Sequence, residues 1–267
     1  MACVAMLTSS VCAGAQDVVF SRRVYQPQGR SFQEIWAWSP GGGLRALTRS
    51  ARDHDRPECS PDGTVVFFGS GSSRWRFDRR TGVEDPVGDG PSAPAAHHVD
   101  PSLQCDDRTL SPSPDGSRLA CASNGEEIVI VDRRSAAQID RVRFDQRYST
   151  GDPYPPLPLQ SVWSPEGGQL LVGTYGEDSS STSYALDYFV LELASRQWTR
   201  AFTGNDAVWL TGTTIASSTP RDLAPLAGSS KQVWTAQLAV YDLTTQRRIL
   251  LTSGVSNNVQ PTLCGSR

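Results

Sequence analysis

The sequence lacks several features that mark common functional classes. After residue 16 no apolar run approaches the roughly 18 residues that a membrane-spanning helix needs. It has no Cys-x-x-Cys pair and no cysteine–histidine cluster with the spacing of a zinc site. No long helix is evident, so we expect no serine in the strand-turn-helix elbow of a hydrolase. The net charge is −3 with acidic and basic residues interspersed, so we expect no nucleic-acid partner.

What the sequence does contain is a repeated tetrapeptide, followed each time by an apolar run. Ser-Pro-Asp-Gly occurs at 60–63 and 113–116, and Ser-Pro-Glu-Gly occurs at 164–167. The copies are 53 and 51 residues apart. A fixed period of about 20 to 50 residues is typical of solenoids and propellers. We therefore expect a single repeat domain over residues 17–267.

The tetrapeptide has the chemistry of a hairpin turn. Proline presets φ, aspartate accepts local backbone hydrogen bonds, and glycine takes the positive φ that ends a three-residue hairpin loop. Aligned on this turn, the sequence divides into units of four strands, which we name a to d in chain order. The strands predicted for the second unit are Arg56–Ser60, Thr64–Gly69, Trp75–Arg79 and Val83–Val87.

The two ends of the sequence complement each other. It opens at Asp17–Arg22 with strand b of a first unit that lacks strand a. It closes with Asn258–Ser266, which resembles strand a of the second unit at Asp55–Ser60. The closing segment can therefore supply the missing strand, and such closure protects sheet edges. The predicted fold class is all-β: a five-bladed β-propeller of four-stranded antiparallel blades whose C-terminal strand completes the first blade.

The repeat resembles a known family. Its pattern is x-Pro-x-Trp-Ser-Pro-Asp-Gly, an apolar strand b, a strand c ending in aspartate and a strand d ending in Leu-Thr. These elements are carried by Pro57–Gly63, Val162–Gly167, Ile128–Asp132, Val240–Asp242 and Ala46–Thr48. This pattern resembles the WD-like repeats of TolB-type β-propellers, over residues 17–267 and in the propeller part only, since no α/β domain precedes the repeats.

The resemblance implies a periplasmic or secreted protein-interaction module. It transfers no catalytic residues to this sequence. Propellers of this family commonly have six units, whereas the sequence shows five, so the family's partner-binding role is not carried over.

The first 16 residues differ from the rest. They are small and apolar as far as Val11, and Ala13-Gly14-Ala15 supplies small residues for cleavage before Gln16. We interpret residues 1–16 as a signal peptide, truncated because the positively charged leading region is missing, and we expect a periplasmic or secreted protein. The alternatives are a lipoprotein anchor at Cys12, a buried first strand or a disordered end.

Four cysteines follow the leader: Cys59, Cys105, Cys121 and Cys264. An even number in an exported protein permits two disulfides. A bond between Cys59 and Cys264 would tie the ends of the ring together, and one between Cys105 and Cys121 would close a short loop around one hairpin. The alternative is that they are buried free thiols.

The long connections all fall on one side of the predicted propeller. The a–b and c–d turns are short, whereas every long connection joins strand b to c or strand d to the next a: 24–33, 88–108, 145–159, 175–187 and 219–237. Insertions gathered on one face mark a binding face in repeat proteins; the alternative is that they are tolerated without a role. We predict a protein or cell-envelope glycan partner on this face, and a monomer.

Polar and aromatic residues of these connections are the candidate ligand-binding residues. The acids before the channel-lining strands a are Asp53, Asp55, Asp106, Asp152 and Asp206. They are expected to cap turns; the alternative is a channel-mouth cation such as calcium, and otherwise we expect no cofactor. The other candidates are His54, His97, His98, Tyr154 and Trp234. The two aromatic residues would form a platform for a peptide or glycan, or would pack the loops onto the ring.

An enzymatic function is the main alternative. His54, between Asp53 and Asp55, would act as a general base whose pKa the two carboxylates raise. The substrate would be a carbohydrate or a peptide at the channel mouth, as for a glycoside hydrolase, a lyase or a peptidase accessory. A fragment of a longer protein is a third interpretation. Because no nucleophile motif is present, we predict a non-enzymatic, exported binding or scaffold module and assign no catalytic residue or metal ligand.

Overall fold

The chain is all-β. The computed structural model describes residues 16–26, 29–49, 52–87, 105, 109–123, 127–144, 158–175 and 185–265. These ranges contain 21 β-strands and no α-helix. Short apolar runs separated by turns rich in glycine and proline favour strands over helices. Within the same ranges no helix has the length and apolar character to cross a membrane.

The strands form four-stranded antiparallel units in chain order. Unit 1 comprises β1 (Asp17–Tyr25), β2 (Ser31–Ser39) and β3 (Gly43–Ala46), together with the last strand, β21 (Ser256–Cys264). Unit 2 comprises β4 (Asp55–Cys59), β5 (Val65–Ser70), β6 (Ser73–Asp78) and β7 (Glu84–Pro86). Unit 3 comprises β8 (Ser111–Pro112), β9 (Arg118–Ser123), β10 (Glu127–Asp132) and β11 (Gln138–Arg143).

The next two units share one long strand. Unit 4 comprises β12 (Pro158–Trp163), β13 (Gln169–Tyr175), β14 (Leu186–Glu192) and the first part of β15 (Gln197–Trp209). Unit 5 comprises the second part of β15 with β16 (Thr214–Ser218), β19 (Leu238–Asp242) and β20 (Arg247–Leu250). A separate hairpin, β17 (Asp222–Pro225) and β18 (Gln232–Thr235), lies in the connection from β16 to β19.

The closing segment pairs with the opening segment, as the sequence predicts. Strand β21 runs antiparallel to β1, with Val18 opposite Leu263 and Arg22 opposite Asn258. The resulting sheet has the order β21-β1-β2-β3, so the last strand of the chain takes the first position in unit 1. The pairing gives β1 a neighbour on both sides, so β1 is not an edge of the sheet.

The Pro-Asp-Gly turn is held by its own side chains. In unit 2 the Ser60 hydroxyl donates to Asp62 (2.6 Å), and Asp62 accepts from the Thr64 N–H (3.1 Å). The Val65 N–H in turn donates to the Ser60 hydroxyl oxygen (2.9 Å). Gly63 adopts a φ of +68°, which favours glycine. Four residues separate the paired Ser60 and Val65, so the predicted three-residue loop is one residue too short.

The second copy of the turn repeats this network in unit 3, with Ser113, Asp115, Ser117 and Arg118 in the equivalent positions. The hydrogen bond from Ser113, together with those from Ser117, lowers the pKa of Asp115 to about 2. In the third copy Glu166 replaces aspartate, and its carboxylate lies beside Gly212 of unit 5 instead. The repeat is therefore a hydrogen-bonded turn whose complete form needs aspartate.

Apolar clusters lie between neighbouring units. Units 1 and 2 share a cluster that includes Val19 and Phe68, and units 5 and 1 share one that includes Phe20 and Leu238. Larger clusters join unit 3 to unit 4 and unit 4 to unit 5, the latter around Trp209. Burying each such large side chain stabilises the fold by about 1.5–3 kcal/mol. The contact of unit 5 with unit 1 brings the two ends of the chain together.

One position in strand a bridges adjacent units. Just before the turn, Trp163 of unit 4 donates its Nε1–H to the Ser111 carbonyl of unit 3 (2.9 Å). Trp209 of unit 5 donates in the same way to the Val162 carbonyl of unit 4 (3.0 Å). The equivalent residue of unit 2 is Cys59, which is joined in a disulfide to Cys264 of unit 1, with Cα atoms 5.3 Å apart. A covalent bond thus takes the place of the indole hydrogen bond at this bridge.

Two connections differ from the sequence analysis. The connection expected at residues 24–33 is shorter, because β1 extends to Tyr25 and β2 begins at Ser31. Residues 219–237, treated as one long loop, contain the β17–β18 hairpin. The Cys105–Cys121 disulfide joins the start of unit 3 to its strand β9, with Cα atoms 5.6 Å apart.

Candidate functional site

The candidate site lies on the side of the molecule that carries the b–c and d–a connections, which we call the insertion face. Antiparallel pairing places these connections at one end of every unit and the a–b and c–d turns at the other, which we call the turn face. Five of the ten predicted ligand-binding residues lie outside the described residues: His97, His98, Asp106, Asp152 and Tyr154. The described five are Asp53, His54, Asp55, Asp206 and Trp234.

The side chain of His54 is buried. Its side chain is 0 % exposed, and its Nδ1 lies 3.0 Å from the Thr48 hydroxyl. Nε2 lies 3.6 Å from Glu84, and the ring packs against Phe68 with centroids 4.7 Å apart. Burial lowers the pKa of His54, with Arg52 adding to the effect and the neighbouring acids opposing it. The expectation that the two carboxylates raise the pKa of His54 is therefore wrong, because desolvation outweighs them.

Asp53 and Asp55 serve the local backbone and nearby arginines. The Asp53 carboxylate accepts from the Gln33 N–H (2.8 Å) and lies 3.5 Å from the Arg23 guanidinium. Asp55 is half-exposed in β4 and lies 3.9 Å from Arg56. Asp53 thus joins unit 1 to the connection that leads into unit 2, through a residue 20 positions earlier in the sequence.

Asp206 belongs to a chain of three irregular residues. Arg56 (φ 49°), Asp206 (φ 42°) and Gln260 (φ 57°) have positive φ values that non-glycine residues rarely adopt. Each lies where the first strand of its unit shifts register against the second strand. Such β-bulges redirect a side chain and occur often beside functional sites.

The three residues are bonded across unit boundaries. The Gln260 N–H of unit 1 donates to the Asp206 carboxylate of unit 5 (3.0 Å). The Arg56 N–H of unit 2 donates to the Gln260 side-chain oxygen (2.9 Å). Burial raises the pKa of Asp206, while the hydrogen bond from Gln260 and the charge of Arg221 oppose the shift. We call this series the bulge chain; it aligns the first strands of three successive units.

The β17–β18 hairpin is fixed to unit 1 by one side-chain hydrogen bond and by backbone hydrogen bonds next to β18. The Tyr25 hydroxyl donates to the Trp234 carbonyl (2.6 Å), and burial raises the pKa of Tyr25. The Ala236 N–H donates to the Ser256 carbonyl (3.1 Å), and the Asn258 N–H donates back to the Ala236 carbonyl (3.0 Å). The hairpin is therefore held by the β21 strand that closes unit 1.

The outer surface of the hairpin is apolar. Leu223 and Trp234 are directly opposite each other in the two strands and are 43 % and 36 % exposed. Pro225 continues the same face and is also exposed. The cross-strand pair thus forms a small apolar patch on the hairpin.

Among the residues that the structure describes, no group of three or more histidine, cysteine, aspartate or glutamate side chains is placed to hold a metal ion. Of the acids expected near the channel, Asp206 is occupied by the bulge chain and Asp53 by Gln33 and Arg23. The arrangement offers backbone edges, an apolar pair and charged side chains, which suit binding of a macromolecule.

No protein-family model and no curated protein matches the sequence. Among solved structures, a protein assigned as TolB from Agrobacterium tumefaciens is 10 % identical with a TM-score of 0.36, over 90 % of this chain and 89 % of that one. The WD40 repeats of RRP9 are 13 % identical with a TM-score of 0.35, over 77 % and 53 %. Dipeptidyl peptidase 4 of Porphyromonas gingivalis is 11 % identical with a TM-score of 0.36, over 89 % and 38 %.

This chain therefore spans about half of the RRP9 chain and little more than a third of the peptidase chain. TolB and WD repeats are the two kinds of propeller that the repeat motif resembles. TM-scores of this size carry no argument about this chain. Its likeness to TolB-like and WD-like propellers rests on the repeated turn and on the strand pairings.

Three features of the site escaped the sequence analysis: the β17–β18 hairpin, the exposed Leu223 and the bulge chain. The hairpin strands are only four residues each, too short for alternation to stand out. Gly228, at φ +73° in the turn between them, was the available signal.

Proposed function

We propose that this protein is an exported, five-bladed β-propeller that binds a protein or a cell-envelope glycan on its insertion face. The units described above would be the blades, arranged around an axis lined by their first strands. The pairing of β21 with β1 and the apolar clusters between units support this arrangement. The observation that carries the binding function is the exposed Leu223–Trp234 pair on a hairpin anchored to unit 1.

The enzymatic alternative gains no support at its proposed base. His54 is buried between Thr48, Glu84 and Phe68, so a substrate at the channel mouth would not reach its ring. A binding function requires only that a surface be exposed and fixed in place, and the hairpin meets both conditions.

The test is capture of partners from the envelope fraction of the source cells with two variants of the full chain. Leu223→Ser with Trp234→Ser removes the apolar pair and keeps the Trp234 carbonyl that Tyr25 binds. Ile249→Ser with Leu250→Ser is the matched control, since both residues are about half-exposed on the outer strand β20. We expect capture to be lost in the first variant and kept in the second. Equal capture by the two variants would reject the insertion face as the binding surface.

Export has its own test. The Cys59–Cys264 and Cys105–Cys121 pairs are disulfide-bonded, which suits an oxidising compartment. We expect mass spectrometry of the protein from source cells to find an N-terminus at Gln16 and both disulfides intact. Free thiols at these cysteines in protein alkylated before lysis would contradict export.

A further inference from the structure

Gln16 lies at the point where the first strand begins. It precedes β1, whose first residue, Asp17, is paired with Cys264 of β21. The signal-peptide cleavage expected after Ala15 would make Gln16 the first residue of the exported protein. An amino-terminal glutamine carries its carboxamide at the right distance from its own α-amine to close a lactam ring of low strain. Because both groups belong to one residue, the reaction is intramolecular and strongly favoured over attack by a separate amine.

The side chain of Gln16 is held against the sheet on the turn face. A Cβ on Gly265 would stand 3.1 Å from the Gln16 Cγ, so the Gln16 side chain lies directly on the Gly265 backbone. The same glycine contacts unit 2, since a Cβ on Gly63 would stand 2.8 Å from the Gly265 Cα. Gln16 is accordingly only partly exposed. The first residue of the exported chain would therefore lie at the boundary between units 1 and 2.

Two arginines already share the carboxylate next to Gln16. Asp17 accepts a hydrogen bond from Arg79 of unit 2 and a longer one, of 3.4 Å, from Arg45. The Asp17 side chain is only 13 % exposed, so solvent screens these charges incompletely. A free α-ammonium on Gln16 would add a positive charge next to two guanidiniums that face one carboxylate. A neutral amino terminus avoids this repulsion.

We propose that Gln16 of the exported protein is converted to pyroglutamate. The α-amino nitrogen attacks the side-chain carbonyl carbon Cδ, a bond forms between them, and the Cδ–Nε2 bond breaks. A proton of the amine passes to the leaving nitrogen, which departs as ammonia, so the step needs no oxidant or reductant. This inference rests on the proposed function in requiring export with cleavage before Gln16, and it adds a modification site.

The product is a neutral lactam at the boundary between units 1 and 2. Its ring would lie where the Cβ and Cγ of Gln16 contact Gly265. The α-ammonium is lost, which removes the charge beside the bridge from Arg79 to Asp17. The modification would also remove the free amine that an aminopeptidase requires at the first residue of its substrate.

The direct test is mass spectrometry of the amino-terminal peptide of the protein from source cells. Amines of the intact protein are dimethylated at once, so that a free Gln16 cannot cyclise during digestion. We expect a peptide that begins at residue 16, carries no label at its terminus and is lighter than its sequence by one ammonia. A labelled Gln16 terminus overturns the modification and leaves export standing. A terminus at another residue overturns the modification together with the cleavage site, and leaves the capture experiment to decide the binding function.

The matched control is Gln16→Asn, expressed in the same cells. Its side chain keeps the carboxamide but is one methylene shorter, so closure onto the α-amine would give a highly strained ring. We expect the terminus of this variant to take up the amine label, whereas that of the wild type does not. An unlabelled terminus in both proteins would mean a different blocking group and overturns the lactam.

The placement beside the arginines is tested on one chain in two states. The chain is prepared to begin at Gln16 and is measured by calorimetry before and after treatment with a glutaminyl cyclase. We expect cyclisation to raise the melting temperature by about 1–2 °C at low salt, the effect of removing one poorly screened repulsion. The rise should shrink at high salt. A fall in melting temperature would show that the ring does not fit beside Gly265 and overturns the assigned site.

Discussion

At the scale of single residues, local sequence was a poor guide to environment. Asp53-His54-Asp55 is a hydrophilic tripeptide, and nothing in it indicates that the middle side chain turns into the core. The burial of His54 depends on Phe68 from the next strand and on Glu84 from the edge of unit 2. These contacts come from pairing of residues that are distant in sequence. The Asp53 carboxylate likewise bonds to the distant Gln33 N–H and not to its own turn, so its partner too depends on tertiary structure.

The buried His54 predicts a pH-dependent stability. Its pKa in the folded protein lies below the ordinary value of 6.5, so the unfolded chain binds the proton first as the pH falls. The free energy of unfolding should be unaffected above pH 6.5 and should decrease below it, by at most about 1.4 kcal/mol per pH unit. Urea denaturation of wild type and His54→Gln at pH 7.5 and 5.5 measures this.

The control matters because Glu84 faces the same ring and has its pKa raised by burial. A raised carboxyl pKa stabilises the folded state as the pH falls, opposite to the effect of His54. Since Glu84 is present in both proteins, the wild type should lose more stability between the two pH values than His54→Gln. The same loss in both would contradict a buried, neutral His54.

The turn aspartates give a second residue-scale prediction. Hydrogen bonds from Ser113 and Ser117 hold the pKa of Asp115 at about 2. Its contribution to stability is present above pH 3.8 and is lost as the pH falls through about 2. We expect Asp115→Ala to lower the melting temperature more than Glu166→Ala. The reason is that the Glu166 carboxylate lies beside Gly212 of unit 5, whereas the Asp115 carboxylate is bonded within its own turn. Calorimetry at pH 7 checks this, and equal melting temperatures would refute it.

At the scale of elements, the sequence predicted the repeated strands well. Proline, aspartate and glycine set each a–b turn locally, and the following apolar run then has only one register that buries it. The bulge chain could not be predicted from the sequence, because the positive φ of Arg56 and Gln260 accompanies a hydrogen bond between neighbouring units. Local rules cannot encode that bond.

The bridges between strands a give an element-scale prediction. Replacing both Cys59 and Cys264 with serine should lower the free energy of unfolding by about 2–4 kcal/mol, since the bond closes a very long loop. Trp209→Phe removes an indole hydrogen bond and also part of a buried ring in the cluster between units 4 and 5, so it should cost more than the roughly 1 kcal/mol of the hydrogen bond alone. Guanidinium denaturation measures both variants. A loss well below about 2 kcal/mol for the double serine variant would contradict the disulfide bridge.

At the scale of the whole molecule, the pairing of the two ends was predictable because the opening segment carries three strands of one repeat and the closing segment carries the fourth. Pro261 stands in β21 where Pro57 stands in β4, and the missing strand of unit 1 was thereby identified. The binding hairpin was not, because insertions in a repeat follow no repeated pattern. The repeated strands of this fold can be predicted from the sequence. The β17–β18 hairpin, which we connect with function, is an insertion and could not be predicted.

Closure predicts how the chain responds to truncation and permutation. A chain that ends at Val255, with Cys59→Ser, leaves β1 as an unpaired edge and should aggregate or lose its cooperative melting transition. The second variant is a permuted chain that begins at Ser256 and ends at Thr252. In it, a Ser-Pro-Asp-Gly linker joins Cys264 to Asp17. This chain keeps all strands and should fold as a monomer. Gel filtration and circular dichroism measure both. A truncated chain that melts as cooperatively as the full chain would contradict closure.

The most direct test of the binding surface is photo-crosslinking in the source cells. A photoreactive phenylalanine analogue replaces Trp234 on the insertion face in one protein and Ile249 on the outer strand β20 in another. We predict that irradiation joins a discrete partner to the protein labelled at Trp234 and none to the protein labelled at Ile249. Adducts at Ile249 alone, or at neither position, would contradict the assignment of the insertion face.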